Sequence, residues 1–375
     1  MSELGDICRE AASLREHGTP FLLATVVRVA GSSYRRPGAR MLIAEDEWLA
    51  GSVSGGCLER DVLMRGAFRV RTGAPVIVRY DSTSDDEAGW GLGLGCNGIV
   101  DVLIERIDTR TELDPTAFVE ASYVSEETSV LITVISSSDP RISVGARVGA
   151  REKRGCVGTV REPVLRAVLE EEARESLHEK SLRARVIDLE GVTVLVERFA
   201  PPPHLFVLGS RHDAAPLVSI ASATGLDVTL ADGSTASAVH GRFYGASRIV
   251  AATGEELVQL VSERARAAAV IMTHDYGRDR EYLAALLNTR AKYIGVLGPR
   301  ARTARMVDEL GLDCHATFER IYSPVGLDLG GETPREIALA IVAEVHAVLG
   351  GASSQSLRER QALRDAMSAQ EWAAA

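Results

Sequence analysis

The chain has 375 residues, which is too many for one ordinary hydrophobic core, so we expect two or three domains. Its formal net charge of −10 excludes a protein that binds the phosphate backbone of nucleic acids through a basic face. No apolar run is long enough for a membrane span, the first residues predict an amphipathic helix, and five scattered cysteines suit free thiols in the cytoplasm.

The first 200 residues contain a repeat in which three short motifs recur in the same order. These are Thr25-Val26-Val27, Gly38-Ala39-Arg40 and Gly51-Ser52-Val53, then Thr133-Val134-Ile135, Gly145-Ala146-Arg147 and Gly158-Thr159-Val160. The pattern predicts a mixed α+β domain over residues 1–200. We expect it to consist of a duplicated, mostly β unit at about residues 21–107 and 129–199. Chance similarity is the alternative.

A glycine-rich turn that ends in a cysteine follows the third predicted strand of the first copy. The sequence Ser54-Gly55-Gly56-Cys57 precedes a helix predicted from about Leu58 to Val70. Consecutive glycines let backbone N–H groups turn toward a ligand, and the start of a helix favours the thiolate form of a cysteine. Upstream, Arg36 and Arg40 are candidate cations for a phosphate. The second copy has Glu162-Pro163-Val164 at the matching positions, so the architecture does not require the glycines and the thiol.

A second cysteine of the first copy, Cys96, also follows glycine-rich sequence, in Gly95-Cys96-Asn97-Gly98. We predict that Cys57 and Cys96 belong to one site, where two thiols act as soft ligands for a metal or a sulfur-bearing cargo. Their Cα atoms should then lie within roughly a dozen ångströms of each other. The alternative is that the glycines make tight turns and both cysteines are small buried side chains.

Beyond Pro201-Pro202-Pro203, which cannot continue a helix or a central strand, the pattern changes to alternating strands and helices. Strands are predicted at residues 205–208, 227–230, 248–251, 269–272 and 293–297. The last helix begins at Thr333, with Pro334 and Glu336 completing its start signal. This pattern predicts a Rossmann-like, doubly wound parallel sheet over residues 204–350, followed by a loosely held tail at 351–375.

Polar residues follow the predicted strands of this domain, at the edge where doubly wound sheets bind ligands. They are Gly209, Arg211, Asp232, His274, Asp275 and Arg300. Asp232 has the spacing of a ribose-binding acid, but Arg211 stands where a glycine would let a pyrophosphate approach, so we do not expect NAD in its usual pose. Arg211 could instead pair directly with a phosphate or carboxylate. His274-Asp275 is a candidate ligand contact, and a histidine held in a loop without acid–base work is the alternative.

These motifs resemble the XdhC/CoxI family of molybdenum cofactor maturation proteins. In the first half the resemblance is carried by Gly31-Ser32-Ser33, Arg36-Pro37-Gly38-Ala39-Arg40-Met41, Gly51 to Glu59 and Gly95-Cys96-Asn97-Gly98. In the second half it is carried by Thr273-His274-Asp275, Tyr293-Ile294-Gly295, Gly298-Pro299-Arg300 and Pro324-Val325-Gly326-Leu327-Asp328. The match extends from about Phe21 to Leu349.

The resemblance implies a non-catalytic chaperone that binds the molybdenum cofactor (molybdopterin) as transient cargo and holds it during sulfuration. The chaperone would insert the cofactor into a xanthine-dehydrogenase-like or carbon-monoxide-dehydrogenase-like apoenzyme. Its partners would be that apo-molybdenum hydroxylase and a cysteine desulfurase-type sulfur donor, and we expect a homodimer.

The chain departs from the family pattern in two places. Members commonly have Gly-Ala-Gly where this chain has Gly209-Ser210-Arg211, and Gly-Ser-Arg where Pro299 stands. The alternative function is a nicotinamide-dependent oxidoreductase with His274 as acid–base and Asp232 on the ribose.

Overall fold

The structure is a computed structural model that describes residues 3–31, 33–82, 98–180, 182–189, 191–233, 242–312 and 319–359. The chain divides into two compact units, Ser2–Pro201 and Pro202–Ala375. Within the described ranges, no helix is both long enough and apolar enough to cross a membrane.

The N-terminal unit contains two antiparallel sheets that have the same strand order. The first half of this unit comprises α1 (Glu3–Glu16), β1 (Phe21–Gly31), β2 (Arg40–Ala44), β3 (Glu47–Gly51), α2 (Glu59–Arg69), β4 (Val76–Asp81) and β5 (Gly98–Ile107). The second half comprises α3 (Pro115–Val124), β6 (Ser129–Ser137), β7 (Arg147–Arg151), β8 (Gly155–Gly158), α4 (Pro163–His178), β9 (Ala184–Leu189) and β10 (Val192–Phe199). The sheet orders are β3-β2-β1-β5-β4 and β8-β7-β6-β10-β9, so the predicted duplicated unit is confirmed.

Reciprocal ion pairs connect the two copies. The Arg40 guanidinium donates to both carboxylate oxygens of Glu197, at 2.9 and 2.6 Å, and Arg147 donates to Glu105 at 2.5 and 2.6 Å. All four side chains are buried, and an apolar cluster formed by strands of both sheets contains Val27, Leu103, Ile135 and Leu195. Each Gly-Ala-Arg motif therefore supplies an arginine that holds the other copy.

The C-terminal unit is built on a parallel sheet with helices on both faces. Its described elements are β11 (His204–Leu208), α5 (Ala214–Ala223), β12 (Asp227–Asp232), β13 (Arg248–Ala251), α6 (Gly254–Ser262), β14 (Ala267–Ile271), α7 (Tyr276–Leu287), β15 (Tyr293–Val296), α8 (Arg300–Glu309), β16 (Ile321–Tyr322) and α9 (Pro334–Gly350). The strand order is β13-β12-β11-β14-β15-β16. Buried side chains of α5 and α9 pack in one core, and those of α6, α7 and α8 pack in another.

This architecture confirms the predicted Rossmann-like fold. The order of the strands reverses between β11 and β14, which is where such sheets open a crevice at their carboxyl edge. The helix α9 begins with the predicted capping box, in which Thr333 and Glu336 each satisfy a backbone N–H of the other.

Candidate functional site

The Cys57 loop, residues 52–58, connects β3 to α2 and differs from its counterpart in the second copy. It has seven residues, whereas residues 159–162, four in number, connect β8 to α4. In the second copy the Glu162 carboxylate caps α4 by accepting from the N–H groups of Val164 and Leu165, at 3.1 and 2.5 Å. The longer connection is therefore a feature of the first copy alone and is not needed to join a strand to a helix in this fold.

The Ser54 hydroxyl organises the Cys57 loop from within. Its Oγ accepts from the backbone N–H groups of Gly56, Cys57 and Leu58 at 3.2, 3.1 and 3.0 Å. We expected the glycines to turn N–H groups toward a ligand, and for these three groups that expectation is wrong. These three residues precede the first residue of α2, and the hydroxyl takes backbone donors that a phosphate would need.

Glu59, the first residue of α2, fixes the position of Ser54. One carboxylate oxygen accepts from the N–H groups of Val53 and Ser54, at 3.0 and 2.7 Å, and the other accepts from the Ser54 hydroxyl at 2.5 Å. The Glu59 side chain is buried, so the network is shielded from water and holds the loop in one shape. Sequence reasoning assigned no role to Glu59, although the family-like segment ends on this residue.

The Cys57 thiol lines an open groove of about 700 Å³. The half-buried sulfur lies 3.4 Å from Ser54 Oγ, and Glu3, Tyr34 and Trp48 also line the groove. The side chains of Tyr34 and Trp48 are 74% and 48% exposed. Exposed aromatic rings beside an accessible thiol can pack against a planar ligand while the sulfur binds a soft centre.

The two candidate arginines lie in different environments. Arg36 is exposed on the segment between β1 and β2. Arg40 is buried, and its guanidinium donates to Glu197 and to the Gly38 carbonyl oxygen, at 2.8 Å for the latter. The charge of Arg40 is thus neutralised by Glu197 inside the protein. This residue therefore has a structural role instead of the expected phosphate contact.

Cys96 lies in residues 83–97, outside the described part of the chain, so the predicted Cys57–Cys96 site stays a prediction. The flanking residues Ser82 and Gly98 are joined by three hydrogen bonds of 2.7 to 3.1 Å.

The three described cysteines, Cys8, Cys57 and Cys156, are free thiols. Burial raises the pKa of Cys8 to about 12, and it also raises the pKa of Cys156. Among the described residues, no cluster of three or more histidine, cysteine or acidic side chains could hold a metal ion.

In the C-terminal unit, Asp232 at the end of β12 is engaged by protein groups. Its carboxylate accepts from the Ser210 N–H at 2.9 Å, from the Ser210 hydroxyl, and from Arg278 at 2.9 Å. Sequence reasoning missed Arg278, which lies 46 positions away and carries no local signal of this pairing.

Arg211 and Gly209 lie at the point where the strand order reverses. The Arg211 Nε donates to the Thr273 carbonyl oxygen at 3.3 Å, so this side chain reaches from the end of β11 to the end of β14. Gly209 has φ of +124°, and a Cβ there would lie 2.5 Å from the Met272 carbonyl oxygen. The glycine is thus required by the close approach of two backbones.

The remaining strand-end residues have separate roles. His274 has φ of +60°, and its Nε2 lies 2.6 Å from Oδ2 of Asp213. Asp275 is the N-cap of α7, because its carboxylate accepts from the Arg278 N–H at 2.8 Å. Arg300 is exposed and is the first residue of α8. His274 and Asp275 are neighbours in sequence but do not act as a pair.

Comparisons with known proteins agree with this geometry. The model of the XdhC and CoxI family matches residues 14–81, and that of the XdhC Rossmann domain matches residues 205–345. The chain belongs to the XdhC and CoxI family. The first match covers the whole Cys57 loop, and the second covers all the strand-end residues described above.

Relatives of this XdhC and CoxI family chain cover most of its length. A protein from Bacillus subtilis strain 168, named as a probable subunit of xanthine dehydrogenase, is 29% identical over 89% of this chain and 94% of its own. The molybdenum cofactor insertion chaperone PaoD from Escherichia coli strain K12 is 25% identical over 91% and 87%. The crystal structure of a xanthine dehydrogenase from Bacillus halodurans is 27% identical, with a TM-score of 0.74 over 95% and 98% of the two chains.

Proposed function

We propose that this chain is a molybdenum cofactor chaperone that holds the cofactor during sulfuration and inserts it into a xanthine-dehydrogenase-like or carbon-monoxide-dehydrogenase-like apoenzyme. The observation that carries the proposal is the Cys57 thiol, which lines an open groove on a loop whose shorter counterpart in the second copy has no cysteine. The similarity to a relative named as a molybdenum cofactor insertion chaperone supports it.

The residues of the groove suit such a cargo. A thiolate is a soft ligand of the kind that molybdenum and sulfur chemistry uses. The exposed rings of Tyr34 and Trp48 are available to pack against the flat pterin, and Arg36 is a candidate partner for its phosphate. Ser54 and Glu59 keep the thiol in one position, so the chain would bind and orient the cofactor without doing chemistry itself.

This role implies partners and a second thiol. We propose that Cys96 joins Cys57 in the site, and that a cysteine desulfurase-type enzyme donates the sulfur. We also propose that the chain works in the cytoplasm as a homodimer.

The geometry of the Rossmann-like unit favours the chaperone over a nicotinamide-dependent oxidoreductase. A ribose needs the carboxylate at the end of the second strand, but Asp232 already accepts from Ser210 and Arg278. A pyrophosphate needs the space beside the first glycine turn, and Arg211 occupies that position. These contacts support the proposal that NAD is not a cofactor of this chain.

The test compares two cysteines of the same unit. The chain, Cys57→Ser and the control Cys156→Ser are each purified from a host that makes the cofactor and expresses a client dehydrogenase. Molybdenum and pterin bound to the chaperone and the activity of the client are then measured. We expect Cys57→Ser to lose most of both signals and Cys156→Ser to keep them. Equal retention and client activity in the two variants would overturn the proposal.

A further inference from the structure

The second copy of the duplicated unit has a groove of its own at the position equivalent to the Cys57 groove. This arginine groove, of about 790 Å³, has Arg141 and Arg161 in its lining. Arg141 lies four residues before the glycine of its Gly-Ala-Arg motif, as Tyr34 does in the first copy, and Arg161 lies three residues after Gly158, as Ser54 does after Gly51. Since Tyr34 and Ser54 both line the Cys57 groove, the duplication has produced two equivalent grooves with different chemistry.

Both copies contribute to the walls of the arginine groove. The second copy supplies residues 141–147 and 159–161, and the first supplies Arg71 and Pro75, which lie between α2 and β4. The two walls touch at Gly145, where a Cβ would lie 2.8 Å from Pro75 Cγ. The groove is therefore formed by the packing of the two copies, which brings Arg71 to the same cavity as the arginines of the second copy.

Arginine dominates the charged side chains of this lining. The six arginines are Arg71, Arg106, Arg110, Arg141, Arg147 and Arg161, and the three carboxylates are Glu105, Asp108 and Glu112. The chain as a whole has a net charge of −10, so the excess of positive charge here is local. A groove lined by charges of one sign concentrates its field and attracts a small ligand of the opposite sign.

The arginines of the second copy are accessible to a ligand. The side chains of Arg141 and Arg161 are 79% and 72% exposed. Each is paired at 2.6 Å, Arg141 with Asp139, which lies outside the lining, and Arg161 with Glu112. Exposed ion pairs of this kind contribute little to stability, so an anionic ligand can replace either carboxylate at small cost.

The arginine of the first copy is accessible as well. Arg71 is exposed, its guanidinium lies 4.2 Å from the centre of the Phe68 ring, and it forms no ion pair with any described residue. The ring holds the guanidinium in place and leaves its N–H groups free of a carboxylate. Arg147 differs, because it is buried against Glu105 and joins the two copies.

We propose that the arginine groove binds a small molecule that carries a diphosphate group, held between Arg71 of the first copy and Arg141 and Arg161 of the second. Guanidinium groups match phosphate oxygens in shape and charge, and three of them on separate segments suit an anion with several adjacent charges. The volume lies within the range of about 300–1,000 Å³ that small-molecule sites span, which leaves room for a body beyond the diphosphate. Ile142 and Val144 give the groove an apolar surface for that body.

The test measures binding of inorganic pyrophosphate and of ADP to the full chain by isothermal titration calorimetry. Salt at 0.15 M screens attraction beyond about 8 Å, so that contacts within the groove dominate. We expect Arg71→Gln and Arg161→Gln each to weaken binding about 10-fold, as for loss of a hydrogen bond between charged groups. The matched control is Arg174→Gln, which removes an exposed, ion-paired arginine of α4 outside the lining. Thermal unfolding of each variant shows that it is folded.

The two ligands distinguish the sources of the diphosphate. Tighter binding of ADP, weakened by both groove variants and unchanged in the control, supports a nucleotide as the ligand. Equal or tighter binding of pyrophosphate with the same pattern supports recognition of the diphosphate alone. No binding of either, or equal weakening in Arg174→Gln, overturns the inference. Binding of a tetraglutamate peptide as tight as that of pyrophosphate also overturns it, because the groove would then accept an acidic protein segment.

Discussion

Replacing Ser54 by alanine tests whether the shape of the Cys57 loop is what makes its thiol functional. The change removes the acceptor of three backbone N–H groups and the hydroxyl donor to Glu59. The thiol itself remains. The matched control is Glu162→Ala, because Glu162 caps the equivalent helix of the second copy, where the connection from strand to helix contains no cysteine.

The expected loss of stability follows from these contacts. A buried donor or acceptor that loses its partner, as in Ser54→Ala, costs about 1–3 kcal/mol, and loss of a helix cap, as in Glu162→Ala, costs about 0.5–2 kcal/mol. We therefore expect Ser54→Ala to destabilise the N-terminal unit by about 2–4 kcal/mol, and Glu162→Ala by about 0.5–2 kcal/mol. For a unit of this size, the larger change lowers Tm by about 5–15 °C.

The assay pairs urea unfolding of each variant with client activity and bound molybdenum, both measured well below the lower Tm. We expect Ser54→Ala to reduce cofactor retention and client activity severalfold although Cys57 is intact, because the loop no longer holds the thiol against the groove. Glu162→Ala should lose stability only. Full client activation by a destabilised Ser54→Ala chain, or an equal functional loss in Glu162→Ala, would refute the reasoning.

Three further predictions concern the rest of the fold. Glu197→Ala leaves Arg40 buried without its carboxylate and should cost about 3–5 kcal/mol by urea unfolding, whereas replacing both residues by apolar ones should cost less. Burial would raise the pKa of Asp227, but hydrogen bonds led by that of His204 lower it to about 2. The stabilisation that Asp227→Asn removes should therefore be complete above about pH 4 and vanish as the pH falls toward 2. Because Arg211 reaches across the carboxyl ends of β11 and β14, calorimetry should detect no NAD binding, and a tight complex would contradict this.

Local signals in the sequence were sufficient for most elements of the fold, although the two-residue strand β16 was not predicted. The strand patterns and turn glycines of the two copies predicted one duplicated unit, since side-chain alternation and turn chemistry are properties of neighbouring residues. The start of α9 followed in the same way, because Thr333 and Glu336 form a capping box and Pro334 takes the first helical position between them. The Rossmann-like fold followed from the alternation of strands and helices, which is the pattern of a parallel sheet covered by helices on both faces.

The partners of the site residues could not be predicted in this way. Sequence reasoning made Arg40 a phosphate contact, but the packing of two sheets buries it against Glu197, which is 157 positions away. It gave Gly55-Gly56 a ligand-facing backbone, but Ser54 captures the N–H groups of Gly56 and its two successors. Sequence by itself determined which helices and strands form and how they repeat, because those depend on adjacent residues. Only the tertiary structure decided which charged side chains form ion pairs inside the fold and which remain available to a ligand. That outcome depends on contacts between residues far apart in the chain.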